Sequence, residues 1–122
     1  MIEEETGGVL DFEALRDAVE RRDPDLLLGF YAEDAGLRVV NAGFADGPAF
    51  ELHGRAEIER YLRVVFDRRT PGRVRGESVG EEVIAFEEVC EYPDGTRVVV
   101  RTTLELRDGR ISRQLDVVEQ SS

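Results

Sequence analysis

Apolar residues recur at helical spacing between Asp11 and Arg22, where Phe12, Leu15, Ala18 and Val19 share one side, predicting an amphipathic first helix. Asp23-Pro24-Asp25 then punctuates the chain. Asp23 suits an N-cap, because its carboxylate can accept an orphan backbone N–H, and Pro24 suits the first helical position, where a missing N–H costs nothing. A short second helix is expected from Pro24 to about Tyr31, with Leu26, Leu27, Leu28 and Phe30 as its apolar side. Ala35 to Asn41 reads as a strand entered through a Glu33-Asp34 turn, and Asn41 to Pro48, with two glycines, an aspartate and a proline, reads as a loop. Phe50 to His53 forms a brief second strand. Gly54 breaks the chain, and Arg55 to Asp67 becomes a third helix with Ile58, Tyr61, Leu62, Val65 and Phe66 on one broad face. Thr70-Pro71-Gly72 ends it.

The rest reads as a meander. Val83 to Tyr92 is strand-like, and Pro93-Asp94-Gly95-Thr96 is a turn. From Arg97 to Arg107, Val98, Val100, Thr102, Leu104 and Leu106 alternate with Arg97, Arg101, Thr103, Glu105 and Arg107, Val99 being the exception. Asp108-Gly109 makes a second hairpin, and Arg110 to Glu119 is the last strand. The expected fold is α+β, a cone-shaped curved antiparallel sheet packed on three N-terminal helices. Its interior is where a pocket would lie.

Composition narrows the function classes. A chain of 122 residues fits a single domain over 1–122, with 1–9, including Glu3-Glu4-Glu5, as a flexible tail. Acids outnumber bases 27 to 16, a net charge of −11, which repels phosphate backbones and anionic lipid, so neither nucleic acid nor membrane is an expected partner. Cys90 is the only cysteine and reads as a small core residue. No signal-like segment opens the chain, and no apolar run approaches the ~20 residues of a membrane span, so the cytoplasm is the expected location. One histidine, one cysteine and dispersed acids offer no metal-ligand spacing, and the glycines form no phosphate loop, so no metal or cofactor is expected.

Three segments carry a resemblance. Asp23-Pro24-Asp25-Leu26 through Tyr31-Ala32-Glu33-Asp34-Ala35, then His53-Gly54-Arg55-Ala56-Glu57-Ile58, then Leu106-Arg107-Asp108-Gly109-Arg110-Ile111 resemble, in order, segments of the nuclear transport factor 2-like superfamily. The closing strand, Gly109-Arg110-Ile111 followed by Asp116-Val117-Val118, looks most like the SnoaL-like polyketide cyclases and, less closely, the limonene epoxide hydrolases. In those families an aspartate five residues after that isoleucine is the pocket's acid/base carboxylate, so the resemblance nominates Asp116. A carboxylate inside an apolar cone would be desolvated and its pKa raised toward neutrality, where it can both donate and accept a proton. Val117 and Val118 are both apolar, so alternation leaves the face of Asp116 open.

The hydrolase-like pattern places Arg-x-Asp before the Pro93-Asp94-Gly95 turn. Here those positions hold Ala85-Phe86-Glu87, which nominates Glu87 and removes the arginine that orders the hydrolase carboxylates. If Glu87 shares a cavity with Asp116, the two divide acid and base roles; otherwise it is solvated beside Glu88. The three polar groups of a ketosteroid isomerase fall at or near Val39, Leu15 and Thr102, so that mechanism is not implied. Before Asp116, Gln114-Leu115 stands where SnoaL-like strands often carry His-Trp. His53 is the only side chain titrating near neutrality when unperturbed, and serves either as a proton shuttle or as a hydrogen-bonding turn residue. Phe44 and Phe50 flank the expected loop as a candidate lid, whereas Phe30, Tyr31, Tyr61 and Phe66 read as core.

The expected function is therefore a small-molecule-pocket protein acting on a hydrophobic substrate, with Asp116, Glu87 and His53 as candidate catalytic residues. The alternatives are a non-catalytic binding module and an association domain. The last would be a homodimer through the sheet, with the outward row of Arg97, Arg101, Thr103 and Glu105 forming a self-complementary patch.

Overall fold

The computed structural model describes residues 10–41, 49–68 and 72–121. The expected tail at 1–9, the loop carrying Phe44 and the Thr70-Pro71 helix stop lie outside the described residues. Helix α1 (Phe12–Glu20) starts where the Asp11 carboxylate accepts the Ala14 N–H at 3.2 Å, and it buries Phe12, Leu15, Ala18 and Val19. Helix α2 (Pro24–Leu28) begins in the same way, with Asp23 accepting the Leu26 N–H at 3.1 Å and Pro24 in the first turn. It stops earlier than expected. Strand β1 spans Tyr31–Asn41, and the Ile111 N–H donates to the Phe30 carbonyl at 2.8 Å, so sheet pairing captures the residues expected to extend the helix. Glu33 and Asp34 are exposed positions inside that strand, at an irregularity in its pairing, rather than a turn before it.

Strand β2 (Phe50–His53) pairs antiparallel with β1, and Gly54, at φ 88°, turns the chain into α3 (Arg55–Arg68). Ile58 and Leu62 of α3 are buried, while Tyr61, Val65 and Phe66 are half-buried. Strand β3 (Gly72–Val79) was not expected from the sequence. Of its side chains only Val74 is buried, so it carries no hydrophobic alternation. It is held instead by pairing with β4 (Val83–Glu91) and by α1, whose Glu20 carboxylate accepts the Val74 N–H at 2.8 Å.

Strands β5 (Arg97–Arg107) and β6 (Arg110–Ser121) complete the meander. Asp108 and Gly109 join them with φ of 54° and 76°, the doubly positive geometry of a tight hairpin that Asp-Gly favours. The six strands form one curved, unclosed sheet in the order β2-β1-β6-β5-β4-β3. Every pairing is antiparallel except β1 with β6, which is parallel. The α+β class and curved sheet are as expected; the parallel pairing is the addition. Alternation then sorts the side chains. Ile84, Phe86, Glu88 and Cys90 of β4, with Val100, Thr102 and Leu104 of β5, are buried on the helix side. Arg101, Thr103 and Glu105 face the exposed side.

Candidate functional site

Strand register assembles the site. Phe86 pairs with Thr102, Thr102 with Asp116 and Asp116 with Val39, one row across β4, β5, β6 and β1. All four residues are buried, and Asp116 is 7% exposed. The Thr102 hydroxyl donates to Asp116 Oδ1 at 2.9 Å, and Gln114 Nε2 donates to the same oxygen at 2.9 Å. The Tyr31 hydroxyl donates to Gln114 Oε1 at 2.5 Å. Burial pushes the Tyr31 phenol above its ordinary value, the Asp116 charge adds to this and Tyr61 contributes least, so the phenol keeps its proton and remains a donor. The chain Tyr31–Gln114–Asp116–Thr102 thus pins the carboxylate in one orientation within a largely apolar wall.

These groups line a cavity of about 40 Å³ between the sheet and the helices, bordered by Leu15 and Val19 of α1 and by Tyr61, Val65 and Phe66 of α3. That volume accommodates a few water molecules and lies well below the ~300 Å³ of a ligand pocket. The residues that line it include Leu15 and Thr102, two of the positions where an isomerase-like mechanism would need other polar groups.

A second acid reaches the cavity, and it is not the one nominated from the sequence. Glu88, 5% exposed, lines it, and ion-pairs with Arg22 Nη1. The other terminal nitrogen of Arg22 donates to Cys90 Sγ at 3.1 Å, and the guanidinium carbon stands 5.4 Å from the Phe66 ring centroid. Arg22 reaches this position from a left-handed backbone, φ 58°, directly after α1. Gly72 faces the same cluster, where a Cβ would fall 2.9 Å from Cys90 Sγ and from the Val89 carbonyl oxygen. The core position expected for Cys90 holds, with the Arg22 hydrogen bond added.

Glu87 points to the opposite face. It sits between Arg101 Nε at 3.0 Å and Arg75 Nε at 3.1 Å, and these two guanidiniums, Arg101 first, hold its carboxyl below the usual range. His53 also lies away from the cavity, its side chain 77% exposed and Nε2 3.8 Å from the Glu51 carboxylate. Its backbone N–H donates to Glu57 Oε1 at 2.8 Å, the local turn role that was its other reading. Of the three nominated residues, only Asp116 is in the cavity. Matching from the Pro93-Asp94-Gly95 turn nominated Glu87; the acid on the buried face is its neighbour Glu88, in step with the alternation of Ile84, Phe86 and Cys90. Tyr31 and Gln114 were also missed as site residues, because a tyrosine at a helix–strand junction reads as core and a glutamine carries no sequence signal of its own.

On the exposed face of the sheet, a groove of about 470 Å³ runs over β2, β1, β6 and β5, bordered by Arg38, Glu51, His53, Glu105 and Arg113. Phe50 packs edge-on against Tyr61, with ring centroids 5.5 Å apart. Among the described residues no group of three or more His, Cys, Asp or Glu is placed to hold a metal ion, and no helix is long and apolar enough to cross a membrane.

A family model described as a SnoaL-like domain matches residues 12–114. The comparison with curated proteins found no match. Among solved structures, the chain is similar to an NTF-2 like protein of unknown function from Burkholderia xenovorans LB400, at 17% identity and TM-score 0.70, covering 91% of this chain and 81% of that one. It is also similar to an uncharacterised protein with a cystatin-like fold from Silicibacter pomeroyi DSS-3, at 19% identity and TM-score 0.68, covering 88% and 72%. A de novo designed protein with a curved β-sheet matches at 16% identity and TM-score 0.68, covering 88% and 83%. The same architecture therefore exists in natural and designed chains, and function has to be argued from side chains.

Proposed function

The chain belongs to the SnoaL-like domain family, and from that premise we propose that its interior is a small-molecule site in which Asp116 performs acid/base chemistry on a hydrophobic substrate. The observation that carries the reading is a buried carboxylate held by Thr102, Gln114 and, through Gln114, Tyr31 at the wall of an apolar cavity. Burying a charge among apolar side chains is costly, and a volume-matched apolar residue would pack there without that cost. Asp116 would remove a proton from a carbon next to a substrate carbonyl and return it at another atom, the step common to cyclisation and isomerisation. Tyr31 and Gln114 hold the carboxylate while it does so. Substrate entry requires the half-buried Tyr61, Val65 and Phe66 to move, because 40 Å³ does not hold an organic substrate.

A thermal-shift screen of neutral hydrophobic compounds tests the assignment. Compounds that stabilise the wild type should lose their effect on Asp116→Asn and keep it on the outward-facing Glu87→Gln and His53→Ala. Asparagine retains the oxygen that Thr102 and Gln114 address, so the fold should survive. A hit indifferent to Asp116→Asn would take that residue out of the site. A hit that depends on Asp116 but is never turned over would favour the non-catalytic binding reading.

A second reading concerns association. The groove on the exposed sheet face carries both charge signs, Arg38 and Arg113 against Glu51 and Glu105, as an isologous pairing of two copies requires. We propose a homodimer through this face. Light scattering should give twice the chain mass for the wild type and the monomer mass for Arg113→Glu; a monomeric wild type would refute it.

A further inference from the structure

Helix α3 covers one side of the cavity, and its two halves are held differently. In the first half Ile58 and Leu62 are buried, and the Gly54 carbonyl accepts the Ile58 N–H at 3.2 Å. Arg63 ties the middle of the helix to Asp25 of α2 at 2.7 Å. Beyond it Val64 and Asp67 are exposed, and Val65 and Phe66, which line the cavity, are half-buried. From Arg63 to Asp67 no side chain is fully buried. Few buried apolar contacts is the local condition for a segment to open while the rest of the fold stays intact.

The Phe66 ring rests on a cation. The Arg22 guanidinium carbon lies 5.4 Å from the ring centroid. Arg22 is itself fixed: its side chain is 9% exposed, ion-pairs with the buried Glu88 and donates to Cys90 Sγ at 3.1 Å. Apolar side chains of similar volume often replace a buried ion pair with no loss of stability, so the pair is not explained by packing alone. What it adds here is an immobile cation against a ring that lines the cavity. A guanidinium withdrawn from water holds an aromatic face more strongly than a hydrated one.

Resting on the reading of this cavity as a small-molecule site, we infer that the last turn of α3 is its door and that Phe66, seated on Arg22, is the latch. Arg22 is a positioning residue for the ring, and Glu88 holds Arg22 in place. Lifting Phe66 from the guanidinium enlarges the space of about 40 Å³, while Ile58 and Leu62 keep the first half of the helix in the core.

Two measurements on wild type, Phe66→Leu and Phe66→Tyr test this. Leucine keeps an apolar side chain but loses the ring face; tyrosine keeps the face. Cys90, the only thiol and buried against Arg22, reports the latch through its rate of modification by methyl methanethiosulfonate, a small uncharged reagent. That rate should rise about tenfold in Phe66→Leu and stay at the wild-type value in Phe66→Tyr. It should also be independent of urea well below the unfolding midpoint, because a local opening exposes little surface. Prodan, an uncharged naphthalene fluorophore, reports the door by stopped flow. At saturating probe its binding rate is the opening rate, which should change by the same ratio across the three proteins. A thiol rate unchanged in Phe66→Leu, raised equally in Phe66→Tyr, or climbing with urea from the outset overturns the latch. A thiol rate that responds as expected while prodan binding ignores it overturns the door and leaves the small-molecule site standing. Prodan that binds to none of the three proteins overturns the small-molecule reading and the door with it.

Discussion

Glu88→Gln tests the buried ion pair between Glu88 and Arg22 at the cavity wall. The side chains of Glu88 and Arg22 are 7% and 9% exposed, so the pair is removed from water on both sides. Glutamine keeps the shape and one acceptor for Arg22 but removes the compensating charge. Breaking a buried pair by altering one partner costs about 3–5 kcal/mol, and the retained acceptor argues for the lower end, about 3 kcal/mol. With an unfolding entropy of roughly 2.1 cal/mol/K per residue, the 122-residue chain should lose ~12 °C in Tm. Differential scanning calorimetry reads this directly. Arg22→Gln/Glu88→Gln should recover part of the loss, since neither charge is then left uncompensated. A single variant within ~3 °C of wild type, or a double variant less stable than the single, would refute the claim of a mutually dependent buried pair.

Thr102→Val removes the Thr102 hydroxyl that donates to Asp116 Oδ1 at nearly constant volume. It should cost about 1–3 kcal/mol in urea denaturation, and an unchanged midpoint would mean that this hydrogen bond is not formed in solution. Stability should also fall in acid. The Arg101 and Arg75 hydrogen bonds lower Glu87, the Arg107 hydrogen bond lowers Asp34, and backbone hydrogen bonding followed by Arg16 lowers Glu77. Each folded-state pKa lies below its unfolded value, so the unfolded state binds more protons in this range. The contribution is complete above the ordinary carboxylate range near pH ~4 and disappears as pH falls through the folded values. Tm measured from pH 7 to pH 3 should decline, and less steeply in Arg101→Gln; an identical slope in the two proteins would remove Glu87 from the account.

Much of this fold is written locally. Asp11 and Asp23 cap their helices through hydrogen bonds three residues away, and Asp108-Gly109 carries the positive φ of its hairpin by itself. The alternation from Arg97 to Arg107 matches the observed burial because one face of β5 is covered and the other is not. What escaped depends on partners distant in sequence. β3 exposes nearly all its side chains and is a strand because β4 and the Glu20 carboxylate satisfy its backbone. Helix α2 gives way to β1 before Tyr31 because β6, eighty residues on, offers pairing at Ile111.

The site divides in the same way. Asp116 was legible as a residue, through resemblance of its strand to a family, but its orientation was not, since Val117 and Val118 give no alternation. Cross-strand Thr102 decides it. Glu88 and Glu87 are adjacent acids that differ only in strand parity, and the cation that makes burial of Glu88 tolerable is Arg22, 66 residues earlier. No window of sequence contains both.

The central claim is that Asp116 moves protons within the cavity, and hydrogen exchange at carbon tests it most directly. Deuterium uptake from heavy water into the acidic C–H of a hydrophobic, uncharged ketone should be accelerated by the wild type. Asp116→Asn, with its calorimetric transition intact, should lose ~10²–10⁴ of that acceleration. Wild-type protein that leaves exchange at the solvent rate, or Asp116→Asn that matches wild type, would contradict it.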